Sequence, residues 1–175
     1  MDVLNSLYVN IHINNRNKKG AMKYELYNNH WIHEFIVLLD IEIIDGILNE
    51  YNTDVDLLWV ANHCAEEPKS VWIARGSNLA MFNVPLLAIN DEKEVRVSDG
   101  RHRICWMKGK GMNAIPVAIT KSVVEYFRNK GVNFQAITDL DMPCSVMPNL
   151  QNKVESKPLD GNHVKKILAK KYFIE

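Results

Sequence analysis

No apolar run in this 175-residue chain approaches the roughly 18 residues that a membrane-spanning helix needs, so no transmembrane segment is expected. The opening residues, MDVLNSLYV, lack the basic-then-apolar layout of a secretory signal, which makes a cytoplasmic location the default expectation. Cysteine is scarce. Cys64, Cys105 and Cys144 are odd in number and have no CxxC spacing, which argues against a disulfide framework or a zinc site. Internal repeats and low-complexity segments are also lacking.

Net charge is missing too, with 21 basic and 21 acidic residues, but the balance hides a division along the chain. Residues 24–68 hold ten acids (Glu25, Glu34, Asp40, Glu42, Asp45, Glu50, Asp54, Asp56, Glu66, Glu67) and no Lys or Arg. The rest carries all 21 bases against 11 acids. Such a division can mark separate partner surfaces, or simply a solvated acidic face. Hydrophobic content of 47% and charged content of 24% are ordinary for a globular chain, and the length suits one core. The expected organisation is a single domain over 1–175, less clearly patterned from about residue 132 onward.

Residues 8–13 alternate, with Val9, Ile11 and Ile13 on one face, and 21–27 alternate again across the connector NNRNKKG; together they predict an antiparallel hairpin. Residues 35–39 are a continuous apolar run that fits a buried strand. From Asp40, a candidate N-cap, the period becomes helical through Ile44, Ile47, Leu48 and Tyr51. Residues 57–60 and 84–89 suit short strands, with Pro85 at a strand edge, and 62–76 read as a loop. Residues 122–130 predict a helix with Val123, Val124 and Phe127 inward and Gly131 closing it; 164–168 recover a helical pattern.

The most informative stretch is 94–119, EVRVSDGRHRICWMKGKGMNAIPVAI. Its pattern predicts a strand at 94–97, a turn at Ser98-Asp99-Gly100 and a helix from Arg101 to about Lys108. Gly109 and Gly111 stop that helix, and a buried strand follows at 114–119. A helix N-terminus offers backbone N–H groups and the positive end of the macrodipole, both attractive to anions. Gly100 permits close approach to the backbone, while Arg101, His102 and Arg103 place cationic donors beside it. A phosphate or nucleotide site is one reading; surface ion pairs and a hydrogen-bonded histidine are the other.

This stretch resembles the DG-x-HR box of the ParB/sulfiredoxin superfamily, through Asp99, Gly100, His102, Arg103, Gly111, Pro116 and Val117. The DGRHR form followed by Trp106 is most similar to the plasmid fertility inhibition factors. Those are small bacterial proteins that suppress conjugative transfer, with ATPase and nuclease activity attributed to their fold. The resemblance covers about 25 residues well and 84–130 loosely. It implies a ParB/sulfiredoxin-like α/β domain with a mixed sheet, phosphate binding through Ser98, Gly100, Arg101 and Arg103, and catalytic roles for Asp99, His102 and Arg103. It also implies ATP or another nucleotide with Mg²⁺ as cofactor, and a conjugative type IV secretion or coupling protein as partner. Two departures narrow it. Sulfiredoxins carry a catalytic cysteine where this chain has Arg101, and the helix-turn-helix DNA reader of partition proteins is not recognisable after Ile119.

Other constellations are weaker. His30-x-x-His33 could chelate a metal only on a helix and with a further ligand, so no metal site is assigned. His63 and Cys64 are adjacent and do not face one another. Trp31, Trp59, Trp72 and Trp106 are most simply core or groove aromatics. Three functional readings follow: a conjugation-interfering phosphate or nucleic-acid binder, a Mg²⁺-dependent nucleotide hydrolase, nuclease or small-molecule kinase on the same turn, and a non-enzymatic protein that uses its acidic 24–68 segment.

Overall fold

The computed structural model of the chain describes residues 21–49 and 68–144. Its strands are β1 (Met22–Tyr27), β2 (Phe35–Asp40), β3 (Ile73–Arg75), β4 (Ala80–Asn83), β5 (Leu86–Ile89), β6 (Val95–Asp99), β7 (Ala114–Ile119), β8 (Gln135–Ala136) and β9 (Asp139–Met142). Its helices are α1 (Ile41–Asn49), α2 (Arg101–Gly109) and α3 (Lys121–Lys130), with one 3-10 turn at Ser70–Trp72. The expected mixed α/β class is present, but in two sheets where one was expected: β3-β4-β1-β9 and β6-β5-β7-β2-β8.

Strand β7 is the spine of the second sheet, and all six of its residues are buried. Alternate strand residues point to opposite faces, so a strand buried throughout must be covered on both. Pro116 looks out of place there, since proline cannot donate to a ladder. The pairing explains it. Ala118 donates to the Pro85 carbonyl (2.7 Å) on the β5 side, so the same-facing position 116 also points toward β5. β5 pairs with β7 only at Ala118 and Ile119, so no acceptor waits opposite residue 116.

Residues 80–89 join the two sheets almost without a break. Val84 N–H donates to the Tyr27 carbonyl (2.8 Å), continuing the parallel β1–β4 pairing, while the next carbonyl, that of Pro85, already serves β7. The chain therefore changes sheet at Val84-Pro85. The link from β1 to β2 makes the same change nearby.

Between the first sheet and α2 lies an aromatic stack. Trp106 lies nearly parallel to Phe82 (centroids 5.9 Å, 27°) and edge-on to Trp72 (6.2 Å), and Tyr24 meets Phe82 edge-on (6.2 Å). Trp72 and Trp106 are thus core residues. Ile104 and Met107 on α2 are fully buried, as are Ile115, Val117 and Ile119 in the strand expected to be buried at 114–119.

Several boundaries differ from expectation. Strand β6 runs on through Ser98 and Asp99, because the latter pairs with Leu86. Gly109 is helical, and Gly111 alone closes α2: its N–H bonds the Lys108 carbonyl (2.8 Å) and Met112 N–H bonds that of Met107 (3.2 Å). This is a Schellman cap, and Gly111 supplies its left-handed residue at φ 75°. Gly131 closes α3 in the same way, as expected. Within the stretch expected to be loop at 62–76, Ile73–Arg75 is a strand, and β4 beside it was not anticipated. Of the residues past 132, those at 135–136 add β8 to β2 and those at 139–142 add β9 to β1, so this part of the chain belongs to both sheets. The segments at 8–13, 57–60 and 164–168, His63, Cys64 and Trp59 lie outside the described residues.

No helix among the described residues is long and apolar enough to cross a membrane.

Candidate functional site

The turn from β6 into α2 sits on the seam where the chain changes sheets. Gly100 is the N-cap of α2, at φ 94° and ψ 21°, a left-handed conformation that side chains resist. Space demands glycine as well. A Cβ there would lie 2.7 Å from the Pro85 Cα and 2.8 Å from both Nε and Nη2 of Arg103. The carbonyl of Gly100 accepts the first helical bond, from Ile104 N–H (3.0 Å).

No side chain caps this helix. Asp99 instead gathers two other partners on one oxygen. Arg103 Nη2 donates to its Oδ2 at 2.6 Å, and His30 Nε2 lies 3.1 Å from the same atom. Partial burial pushes the Asp99 carboxyl upward, but the charge and hydrogen bond of Arg103, with His30 behind them, outweigh it. The carboxyl is held below its ordinary value and is ionised at neutral pH.

Arg103 is 4% exposed, and its guanidinium points into the protein. Besides Asp99, it donates through Nη1 to the carbonyl of Asn83 (3.2 Å), the last residue of β4. Tyr27, at the end of β1, is close enough to feel that charge. Burial raises its phenol above the usual value and Arg103 partly counters this. The sequence-derived site residues thus divide. Arg103 is an internal strut, Ser98 is exposed, and Gly100, Arg101 and His102 are partly exposed around the turn.

Three residues at this place were not anticipated as a group. Asn28 is fully buried; its Nδ2 donates to the Val84 carbonyl (2.7 Å) and its Oδ1 accepts the His30 N–H (3.0 Å). Asn83 is 5% exposed. His30, considered from sequence only as a metal ligand with His33, is bound to Asp99. Among the described residues the buried polar side chains are Asn28, Asn83 and Arg103, and all three belong to this one network. Arg103 Nε and Asn83 Oδ1 remain without a hydrogen-bond partner, the unmet polar capacity that burial normally selects against. The available signal was an asparagine directly after an aromatic residue in two places, Tyr27-Asn28 and Phe82-Asn83.

The described residues do not fit a protein-held Mg²⁺. Asp99 is the carboxylate at the turn, and one of its oxygens is already engaged by the Arg103 guanidinium and the His30 imidazole. No group of three His, Cys, Asp or Glu side chains converges among the described residues. What the arrangement offers is a glycine-led helix start, partly exposed Arg101 and His102, and an aspartate–histidine pair fixed from below.

No family model matches the chain, and no curated protein or solved structure matches it.

Proposed function

We propose that this chain binds the phosphate of a nucleotide or nucleic acid at the β6–α2 turn. The observation that carries the reading is the convergence of every buried polar side chain among the described residues beneath that one turn. Burying a guanidinium and two amides is unfavourable unless their positions are needed; here Arg103 holds Asp99 and the Asn83 carbonyl, and Asn28 holds Val84 and the main chain of His30. The first N–H groups of any helix lack acceptors within it, and its dipole favours an anion. Arg101 and His102 lie beside that helix start and Ser98 is at the rim, while Gly100 makes room for Pro85 and the Arg103 guanidinium that hold the turn in place. Any Mg²⁺ would arrive on the nucleotide's own phosphates.

Calorimetry with ATP, CTP and a short single-stranded oligonucleotide tests this. At least one should bind, and Arg101→Ala should weaken it by about 1.5–3 kcal/mol, the usual loss for a charge-assisted hydrogen bond. Absence of heat with all three at millimolar concentration sinks the reading.

The resemblance to ParB/sulfiredoxin-type fertility inhibition factors extends the proposal to biology. In that extension the chain suppresses plasmid conjugative transfer by acting on a type IV secretion or coupling protein. The acidic side chains of Glu25, Glu34, Asp40 and Glu42 are exposed and would meet a basic partner. A mating assay with several conjugative plasmids decides it, since transfer unaffected by expression of the chain removes this extension and leaves phosphate binding standing.

A further inference from the structure

His30 has a part in this network that phosphate binding alone does not use. Its main chain is held by buried Asn28, and its ring Nε2 is held by Asp99 Oδ2. An ionised carboxylate can only accept hydrogen bonds, so Nε2 must carry the proton. In the neutral ring the lone pair then sits on Nδ1. The side chain is 48% exposed, and Nδ1 takes no partner from the described residues. Asp99 is itself pinned by Arg103 on the same oxygen, so the carboxylate cannot swing away without leaving the buried Arg103 guanidinium unpaired. An imidazole fixed at one nitrogen by a carboxylate and open at the other is the arrangement in which histidine transfers protons in neutral water.

We infer that His30 is the general base for hydrolysis of a phosphate ester or anhydride seated at the Gly100 turn, with Asp99 as its positioning residue. The inference rests on the phosphate site proposed above. Asp99 adjoins Gly100 in the chain, so the imidazole that it holds lies one side chain away from the turn. In the reaction Nδ1 takes a proton from water, and the water oxygen forms a bond to phosphorus. The bond from phosphorus to the leaving oxygen breaks, and that oxygen departs with the electron pair and is protonated by solvent. The imidazolium then returns its proton to solvent. Water is the only co-reactant.

The test follows phosphate release from ATP and CTP and shortening of a labelled single-stranded oligonucleotide, with calorimetry on the same samples. His30→Ala removes a half-exposed side chain and should bind with wild-type affinity. Its turnover should be about 100-fold or more slower, as expected when a general base is lost, and added imidazole should restore it in proportion to concentration. Asp99→Asn should lower kcat with little change in KM; because it also unpairs Arg103, the His30 variant is the deciding one. Turnover by His30→Ala at the wild-type rate overturns the assignment. So does wild-type protein that binds a probe and turns over none of the three, a result that leaves the phosphate site intact. Failure of wild type to bind any probe removes the phosphate site and this inference with it.

Discussion

Asp99 concentrates the chemistry of the seam in one carboxylate, and its titration should be visible in stability. Burial alone would raise its folded carboxyl above the ordinary value of about 3.9, but Arg103 and His30 together outweigh burial and hold it lower. A depressed carboxylate stabilises the fold fully above its unfolded value, and that contribution is lost as pH falls through the lower folded value. Urea unfolding from pH 7 down to pH 2 should therefore show Asp99→Asn well below wild type at neutrality, with the two curves converging below about pH 4. Parallel curves throughout would mean that the ion pair with Arg103 does not form. The charge of this residue was legible from sequence, and its partner Arg103 stands only four positions on. His30 is 69 positions away, and no local period records such a distance.

At the scale of elements, α2 and β7 were legible in the sequence because their signals are local. Gly111 and Gly131 end their helices by a conformation that few other residues adopt, and the 114–119 run is apolar throughout. Strands β3, β8 and β9 were not, because two to four residues carry too little periodicity to register. They exist through pairing with β4, β2 and β1, which only the tertiary fold supplies. Ile104 on α2 is fully buried and tests the placement of that helix. Ile104→Asp should lose more than about 4 kcal/mol or fail to fold, since it sets an unpaired charge in the core. A thermal midpoint equal to wild type would contradict the packing of α2.

Across the whole molecule, the two sheets meet along the crossings at residues 28–34 and 84–85, and the polar network fills that junction. Ligands of α/β proteins commonly gather outside the carboxyl ends of parallel strands. The parallel pair β1 and β4 ends here, at Tyr27 and Asn83. The acidic exposed residues of 25–42 belong to a different surface chemistry, which fits a basic partner better than a phosphate. Location is therefore the central claim: the anion goes to the turn at Gly100. The most direct measurement is a titration of ATP into ¹⁵N-labelled protein, followed residue by residue through backbone amide shifts. The expected result is saturable movement largest at Gly100, Arg101 and His102, weakened in Arg101→Ala. Shifts that are linear and unsaturated, or that gather away from β6 and α2, would contradict it.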